Sequence, residues 1–269
     1  MILQYLLNTF LIILLIYGLV CLVYYLIQEK FMFVPVHTED LKFRKVRLPF
    51  EDLYFETPNN GYIHAQLFRA NYSKGLIFYL HGNTGNLKRW RFMAEDLCKL
   101  GYDVFVMDYR GFGESRGKLS EAFMHRDVEF CYDLIAKNYN YVVIYGRSLG
   151  TGFATKLASR RTADKLVLET PFNNMVDTAK YYLPFLPVPL FLRYRFHSDI
   201  YIKQIKCPIH IFHGTADIIV PYPLAHKLFQ IAKESGVQVQ MTTIKKGMHS
   251  NLVKYALFRN RLEKFLRPD

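Results

Sequence analysis

The sequence predicts an α/β protein, a mostly parallel central sheet with helices on both faces, preceded by one membrane-spanning helix. Three observations carry this prediction. Short β-branched and aromatic runs alternate with helical apolar patterns along most of the chain, as strand–helix–strand crossovers require. Several of these runs lead directly into short glycine-bearing segments, the loops expected at the carboxyl ends of parallel strands. The first 29 residues, by contrast, are almost wholly apolar.

Composition sets the outer bounds. The chain has 269 residues, 51% hydrophobic and 16% aromatic, enough for one large domain with a substantial core. A charged share of 22% is too high for a multi-span membrane protein and too low for disorder. Cys21, Cys98, Cys131 and Cys207 are far apart and form no CxxC pair, so neither a disulfide framework nor a structural zinc site fits. Nothing in the sequence suggests a metal or an organic cofactor. The net charge of +12 invites anionic partners, but the basic residues are scattered among acids, without zinc-finger spacing or an RNP-type aromatic motif. Nucleic acid is therefore not expected, whereas attraction to an anionic membrane surface accounts for the same bias.

From Ile2 to Ile27 only Gln4, Asn8, Thr9 and Gly18 interrupt the apolar run. At about 1.5 Å per residue such a helix crosses a hydrocarbon core of about 30 Å. A cleaved signal peptide would need an early basic residue and small residues at its cleavage site, and neither is present. Residues 1–29 are therefore expected to form an uncleaved single-pass anchor. Lys30, Lys42, Arg44, Lys45 and Arg47 all follow it and no Lys or Arg precedes it, which places the main domain in the cytoplasm by the positive-inside rule. Residues 30–47 read as a linker and 48–269 as the folded domain.

Lys45 to Leu53, beginning in the end of the linker, and Gly61 to Arg69 are expected as antiparallel edge strands. Strands are predicted at Leu76 to Leu80, Val104 to Asp108, Val142 to Tyr145, Leu166 to Glu169, Ile209 to Phe212 and Val237 to Ile244. Leu87, Trp90, Ala94 and Leu97 mark one buried helix face; Met124, Val128, Cys131 and Ile135 mark another, with Ser120 as its N-cap. The interval from about 171 to 206 breaks the alternation. It holds a long Tyr-, Leu-, Phe- and Pro-rich stretch, with Pro184, Pro187 and Pro189 excluding a continuous helix, and is expected to form a cap over a cleft.

The chemistry concentrates at strand ends. Gly146-Arg147-Ser148-Leu149-Gly150 matches GxSxG between a predicted strand and a helical stretch, where a sharp turn would expose the serine hydroxyl. Chance would supply about 0.025 such matches at this serine and glycine content. Asp217, in His213-Gly214-Thr215-Ala216-Asp217, and His249, in Gly247-Met248-His249, follow later strands, giving the order Ser148, Asp217, His249. Imidazole His249 would take the Ser148 proton, and Asp217 would fix its tautomer; Glu169, also at a strand end, is the rival acid. His81-Gly82-Asn83-Thr84-Gly85 follows the Leu76 run, making the Asn83 and Leu149 backbone N–H groups the candidate oxyanion donors. His81 is expected to brace its loop, Ser115 to be structural, and Ser250 to start a helix. From the cap, Tyr181, Phe185 and Phe191 are the candidate substrate contacts.

HGN at 81–83, DYRGFGES at 108–115, GRSLG at 146–150, HGTAD at 213–217 and the late His249 together resemble the α/β-hydrolase superfamily. The anchor and Phe31-Met32-Phe33-Val34-Pro35 resemble its ABHD-type single-span membrane serine hydrolases. One local departure is His197, where similar sequences often carry Asp. The resemblance implies the α/β-hydrolase fold and a Ser148, Asp217, His249 triad acting on a small-molecule or lipid acyl ester or thioester. Some relatives of this kind are peptidases. A catalytically silent binding protein of the same fold would be expected to lack a triad or oxyanion element, and none is missing here.

Overall fold

The computed structural model describes residues 1–35 and 47–268. Its core is an eight-stranded sheet: β1 (Phe50–Thr57), β2 (Gly61–Phe68), β3 (Leu76–Leu80), β4 (Asp103–Met107), β5 (Val142–Arg147), β6 (Lys165–Glu169), β7 (Ile209–Gly214) and β8 (Val239–Ile244). Their spatial order is β8-β7-β6-β5-β3-β4-β2-β1. The strands from β3 onward pair in parallel, and β1 and β2 form an antiparallel edge, β2 lying against β4. Edge strand β1 begins at Phe50, and Lys45, with which it was expected to begin, lies outside the described residues.

Every residue of β3, β4, β5, β6 and β7 is buried. That burial explains why these strands read as continuous apolar runs rather than alternating ones. Alternate side chains enter two different cores. Leu76, Phe78 and Leu80 meet α3 (Glu121–Ala136), α4 (Leu149–Arg160) and α8 (Tyr222–Glu234) on one face. Ile77 and Tyr79 meet α2 (Leu87–Cys98) and α9 (Ala256–Leu266) on the other. The helix faces predicted from spacing are the ones that pack, although Ser120 caps α3 by position without a side-chain hydrogen bond.

The chain leaves β3 for β4 on one side and then returns through α3 to β5 on the other. This reversal splays the loops after β3 and β5 apart, and clefts of α/β sheets form at such points. The cap consists of α5 (Met175–Tyr182), α6 (Val188–Phe191) and α7 (Ser198–Tyr201). Helix α5 stops before Pro184, as the proline spacing requires.

Helix α1 (Ile2–Met32) is apolar and long enough to cross a membrane. It runs past the expected anchor boundary at residue 29. Instead of starting a free linker, Phe33 is buried edge-on against Tyr194 and Phe112, with ring centroids 4.9 and 6.3 Å away. Val34 and Pro35 then pair in parallel with Thr84 and Gly85. The rest of the expected linker, through residue 46, lies outside the described residues.

Candidate active site

Ser148 sits between β5 and α4 with φ +51° and ψ −118°, a backbone region that side-chain-bearing residues rarely occupy. Three backbone-directed bonds hold the turn: Ser148 N–H donates to the Glu169 carbonyl at 2.9 Å, and the Thr151 N–H and hydroxyl donate to the Ser148 carbonyl at 2.9 and 2.6 Å. Gly146 and Gly150 are required by close approach. A Cβ on Gly150 would stand 2.0 Å from the Leu80 carbonyl oxygen, and one on Gly146 would stand 2.6 Å from Ala154 Cβ.

The loops after β7 and β8 bring two more groups to this edge. His249 Nε2 lies 2.9 Å from Ser148 Oγ, and its Nδ1 lies 2.8 Å from Asp217 Oδ2. Because an ionised carboxylate only accepts, Nδ1 carries the proton and Nε2 is left free to accept from the hydroxyl. The second Asp217 oxygen accepts from the Ile219 and Val220 N–H groups, each at 2.9 Å, which fixes the carboxylate plane. Burial alone would push the Asp217 carboxyl up. Hydrogen bonds from His213, from His249 and from the Val220 N–H outweigh it and hold the group well below the usual carboxylate range.

Glu169, the rival acid, does not reach His249. It accepts from the Tyr145 hydroxyl at 2.7 Å and pairs with Arg147 at 3.5 Å beneath the turn. Burial opposes the Arg147 charge, but the Glu169 carboxylate, Tyr79 and Tyr145 prevail and hold the guanidinium charged. Arg147 in turn lies over the Trp90 ring and donates to the His249 carbonyl at 3.4 Å.

The loop after β3 supplies the opposite wall. His81 is fully buried, its ring nitrogens bonded to the Gly82 carbonyl at 2.7 Å and to Asp108 at 3.1 Å, so it braces the loop. Ser115 likewise accepts from His64 N–H and donates to the Asp108 carbonyl, both at 2.9 Å. Leu149 is the first residue of α4, whose N–H has no intrahelical acceptor, and it lines the same cavity as Asn83 and Ser148. Near His249 one expectation changes: Ser250 lies in a turn, and Asn251 precedes a single 3₁₀ turn at Leu252–Lys254 and accepts from Met248 N–H at 2.8 Å.

A cavity of about 640 Å³ opens beside Ser148, with a mainly apolar lining. Of the three cap residues expected to line it, Phe185 does. Tyr181 points away and is 58% exposed, and its neighbour Tyr182 lines the cavity instead. The cavity face of α5 is Met175, Thr178, Ala179 and Tyr182, a helical spacing that excludes position 181. Phe191 packs instead into a small cluster with Cys21, Leu186, Val188 and Leu192. The cap's arginines are already engaged: Arg193 pairs with Glu29 at 3.2 Å, and Arg195 donates to the Pro189 carbonyl at 2.7 Å. Sequence reasoning missed the cavity wall contributed by α1, including Val20, Val23, Ile27 and Phe31. Gln28 and Glu29 at the end of an apolar run were the available signal, since polar groups there need protein partners.

A family model described as the alpha/beta hydrolase fold matches residues 75–199, spanning the strands that carry the Asn83 and Ser148 loops. This chain belongs to the α/β-hydrolase superfamily. It is 36% identical over 225 residues to the lysophosphatidylserine lipase ABHD12 of Danio rerio, covering 72% of this chain. The chain spans only 59% of that relative's length. It is 26% identical over 206 residues to the protein YfhR of Salmonella typhi, covering 68% of this chain and 70% of that one. Among solved structures it matches the esterase Pf2001 of Pyrococcus furiosus with a TM-score of 0.67 at 19% identity, covering 87% and 97% of the two chains. That likeness is one of fold. Together these place the chain among ABHD-type α/β hydrolases.

Proposed function

We propose that this α/β hydrolase is a membrane-anchored serine hydrolase that cleaves lipidic acyl esters or thioesters through an acyl-enzyme intermediate. The observation that carries the reading is the hydrogen-bonded series Asp217, His249, Ser148 opening on an apolar cavity. The strained turn and the two glycine contacts around Ser148 support the same assignment, since they hold the hydroxyl toward the cavity.

In this reading Ser148 Oγ attacks the substrate carbonyl carbon as its proton passes to His249 Nε2. The carbonyl π electrons move to oxygen, and the Asn83 and Leu149 N–H groups donate to the oxyanion that forms. Collapse of the tetrahedral adduct breaks the bond to the alkoxide or thiolate, which leaves with the proton from His249. Water then repeats the sequence, with His249 taking its proton, and releases a carboxylic acid and free Ser148. Asp217 stays ionised throughout and stabilises the imidazolium.

The cavity favours acyl chains over acetate, because each buried methylene contributes about 0.8 kcal/mol, roughly fourfold in kcat/KM. The Danio rerio relative is named for a lipid ester with one acyl chain, and a single chain suits one apolar cavity. In this reading helix α1 anchors the enzyme, and Lys30, Lys42, Arg44, Lys45 and Arg47 after it favour a cytoplasmic catalytic domain. A reporter fused after the last residue tests that orientation; a glycan acquired there in cells would reverse it.

The substrate assignment is tested by kcat/KM along a p-nitrophenyl series from acetate to palmitate in the detergent-solubilised full chain. The expected result is a rise with chain length that is blunted by Phe185→Asn. A steady fall from acetate onward, unchanged by that substitution, would point to small esters or peptides.

A further inference from the structure

Helix α1 is longer than an anchor needs to be. Its 31 residues span about 46 Å at the usual helical rise, against a hydrocarbon core of about 30 Å. The surplus at the carboxyl end is docked on the cap. The Gln28 side-chain amide donates to the Phe191 carbonyl at 3.1 Å while its oxygen accepts from Arg193 N–H at 2.9 Å. The Tyr194 hydroxyl donates to Glu29 at 2.6 Å, and Tyr17 reaches the Phe185 carbonyl at 2.9 Å.

These contacts orient one stripe of the helix. Val20, Val23, Ile27 and Phe31, at three- and four-residue steps, line the cavity that also contains Ser148. The two ends of the stripe are not equivalent. Val34, just past the helix, donates its N–H to the Asn83 carbonyl, so the Phe31 end lies beside the loop after β3. Val20 is twelve residues upstream of Met32, about 18 Å farther along the axis and toward the membrane. Val20 and Val23, each 44% exposed, line the cavity at the end farther from the loop after β3. The cavity thus runs alongside α1 from the serine toward the bilayer.

We propose that α1 is the specificity-determining wall of the acyl site: the substrate's chain lies along the Val20–Phe31 stripe, between helix and cap, and enters from the bilayer. This rests on the hydrolase reading above. The membrane helix is then part of the enzyme's substrate site, and the length of chain accommodated is set by residues of the anchor. The carbonyl meets Ser148 at the Phe31 end, where the aqueous domain supplies water for deacylation, and the hydrocarbon tail need never leave an apolar surface.

The test uses the full chain in lipid nanodiscs. Ile27→Trp fills the cavity, whereas Leu15→Trp places the same bulk on an exposed position of α1 outside it. For Ile27→Trp, the ratio of kcat/KM toward p-nitrophenyl palmitate to that toward acetate should fall about tenfold or more; Leu15→Trp should leave the ratio unchanged. An unchanged palmitate-to-acetate ratio in Ile27→Trp would overturn the proposal, whether both rates fall or neither does. A second measurement does not depend on tolerating tryptophan. Val23→Cys should react with maleimide about tenfold more slowly after a hexadecyl fluorophosphonate has modified Ser148, and at its original rate after a methyl one. Equal maleimide rates with both probes bound would place the chain elsewhere. Failure of the hexadecyl probe alone to modify Ser148 would overturn the proposal, whereas failure of both would instead contradict the hydrolase reading itself.

Discussion

Ser148 combines two properties that ordinarily conflict, a strained backbone and a fixed side-chain partner. Its φ of +51° costs about 1–3 kcal/mol for a residue with a Cβ, a penalty that glycine does not incur. Ser148→Gly should therefore be more stable than Ser148→Ala by about 1 kcal/mol, measured by urea unfolding of the two inactive variants. Equal stabilities would mean that the turn is not strained. Catalysis should respond differently. Ser148→Ala, His249→Ala and Asp217→Asn should each lower kcat by about 10³-fold or more, with Asp217→Asn the mildest and the double variants no worse than the worse single one. Additive losses would contradict a single hydrogen-bonded unit. Because Asp217 is held well below the usual carboxylate range, its protonation should add no step to the pH–rate profile where carboxylates ordinarily titrate.

Strands β7 and β8 show how an element can carry a pH dependence unrelated to the site. His210 on β7 is buried, stacked on Phe212 with centroids 4.1 Å apart, and Nε2 lies 2.8 Å from the Thr242 hydroxyl of β8. Burial, with a smaller contribution from Arg261, lowers its pKa from 6.5 to about 4. The unfolded chain therefore takes up a proton between those values that the folded chain refuses. Stability should fall as pH drops from 6.5 toward 4, by up to about 3 kcal/mol from this residue. His210→Phe should flatten that slope in thermal unfolding; an unchanged slope would assign it to other groups. At this same scale the sequence was most legible where burial was symmetric. Runs such as Leu76–Leu80 are apolar throughout because both faces of the sheet are covered. Tyr181 and Phe191 were misread for the converse reason: an aromatic-rich, proline-interrupted cap has no single period from which to tell cavity-facing from lipid- or solvent-facing positions.

For the molecule as a whole, sheet order, loops and anchor converge on one edge. The reversal of the winding direction across the sheet between β4 and β5 opens the cleft, four loops place Asn83, Ser148, Asp217 and His249 around it, and α1 with the cap encloses an apolar space beside them. The loop motifs were legible because a sharp turn and close backbone approach demand glycine at fixed positions. The part played by α1 was not, because a helix apolar on every side has no amphipathic face that sequence periodicity could reveal. The proposed chemistry requires Ser148 as its nucleophile. Incubating the full chain with an alkyl fluorophosphonate and mapping the adduct by peptide mass spectrometry tests it most directly. The predicted result is one stoichiometric adduct on Ser148, formed in step with loss of esterase activity and absent from Ser148→Ala; an adduct on Ser115 or Ser250, or full activity in Ser148→Ala, would contradict it.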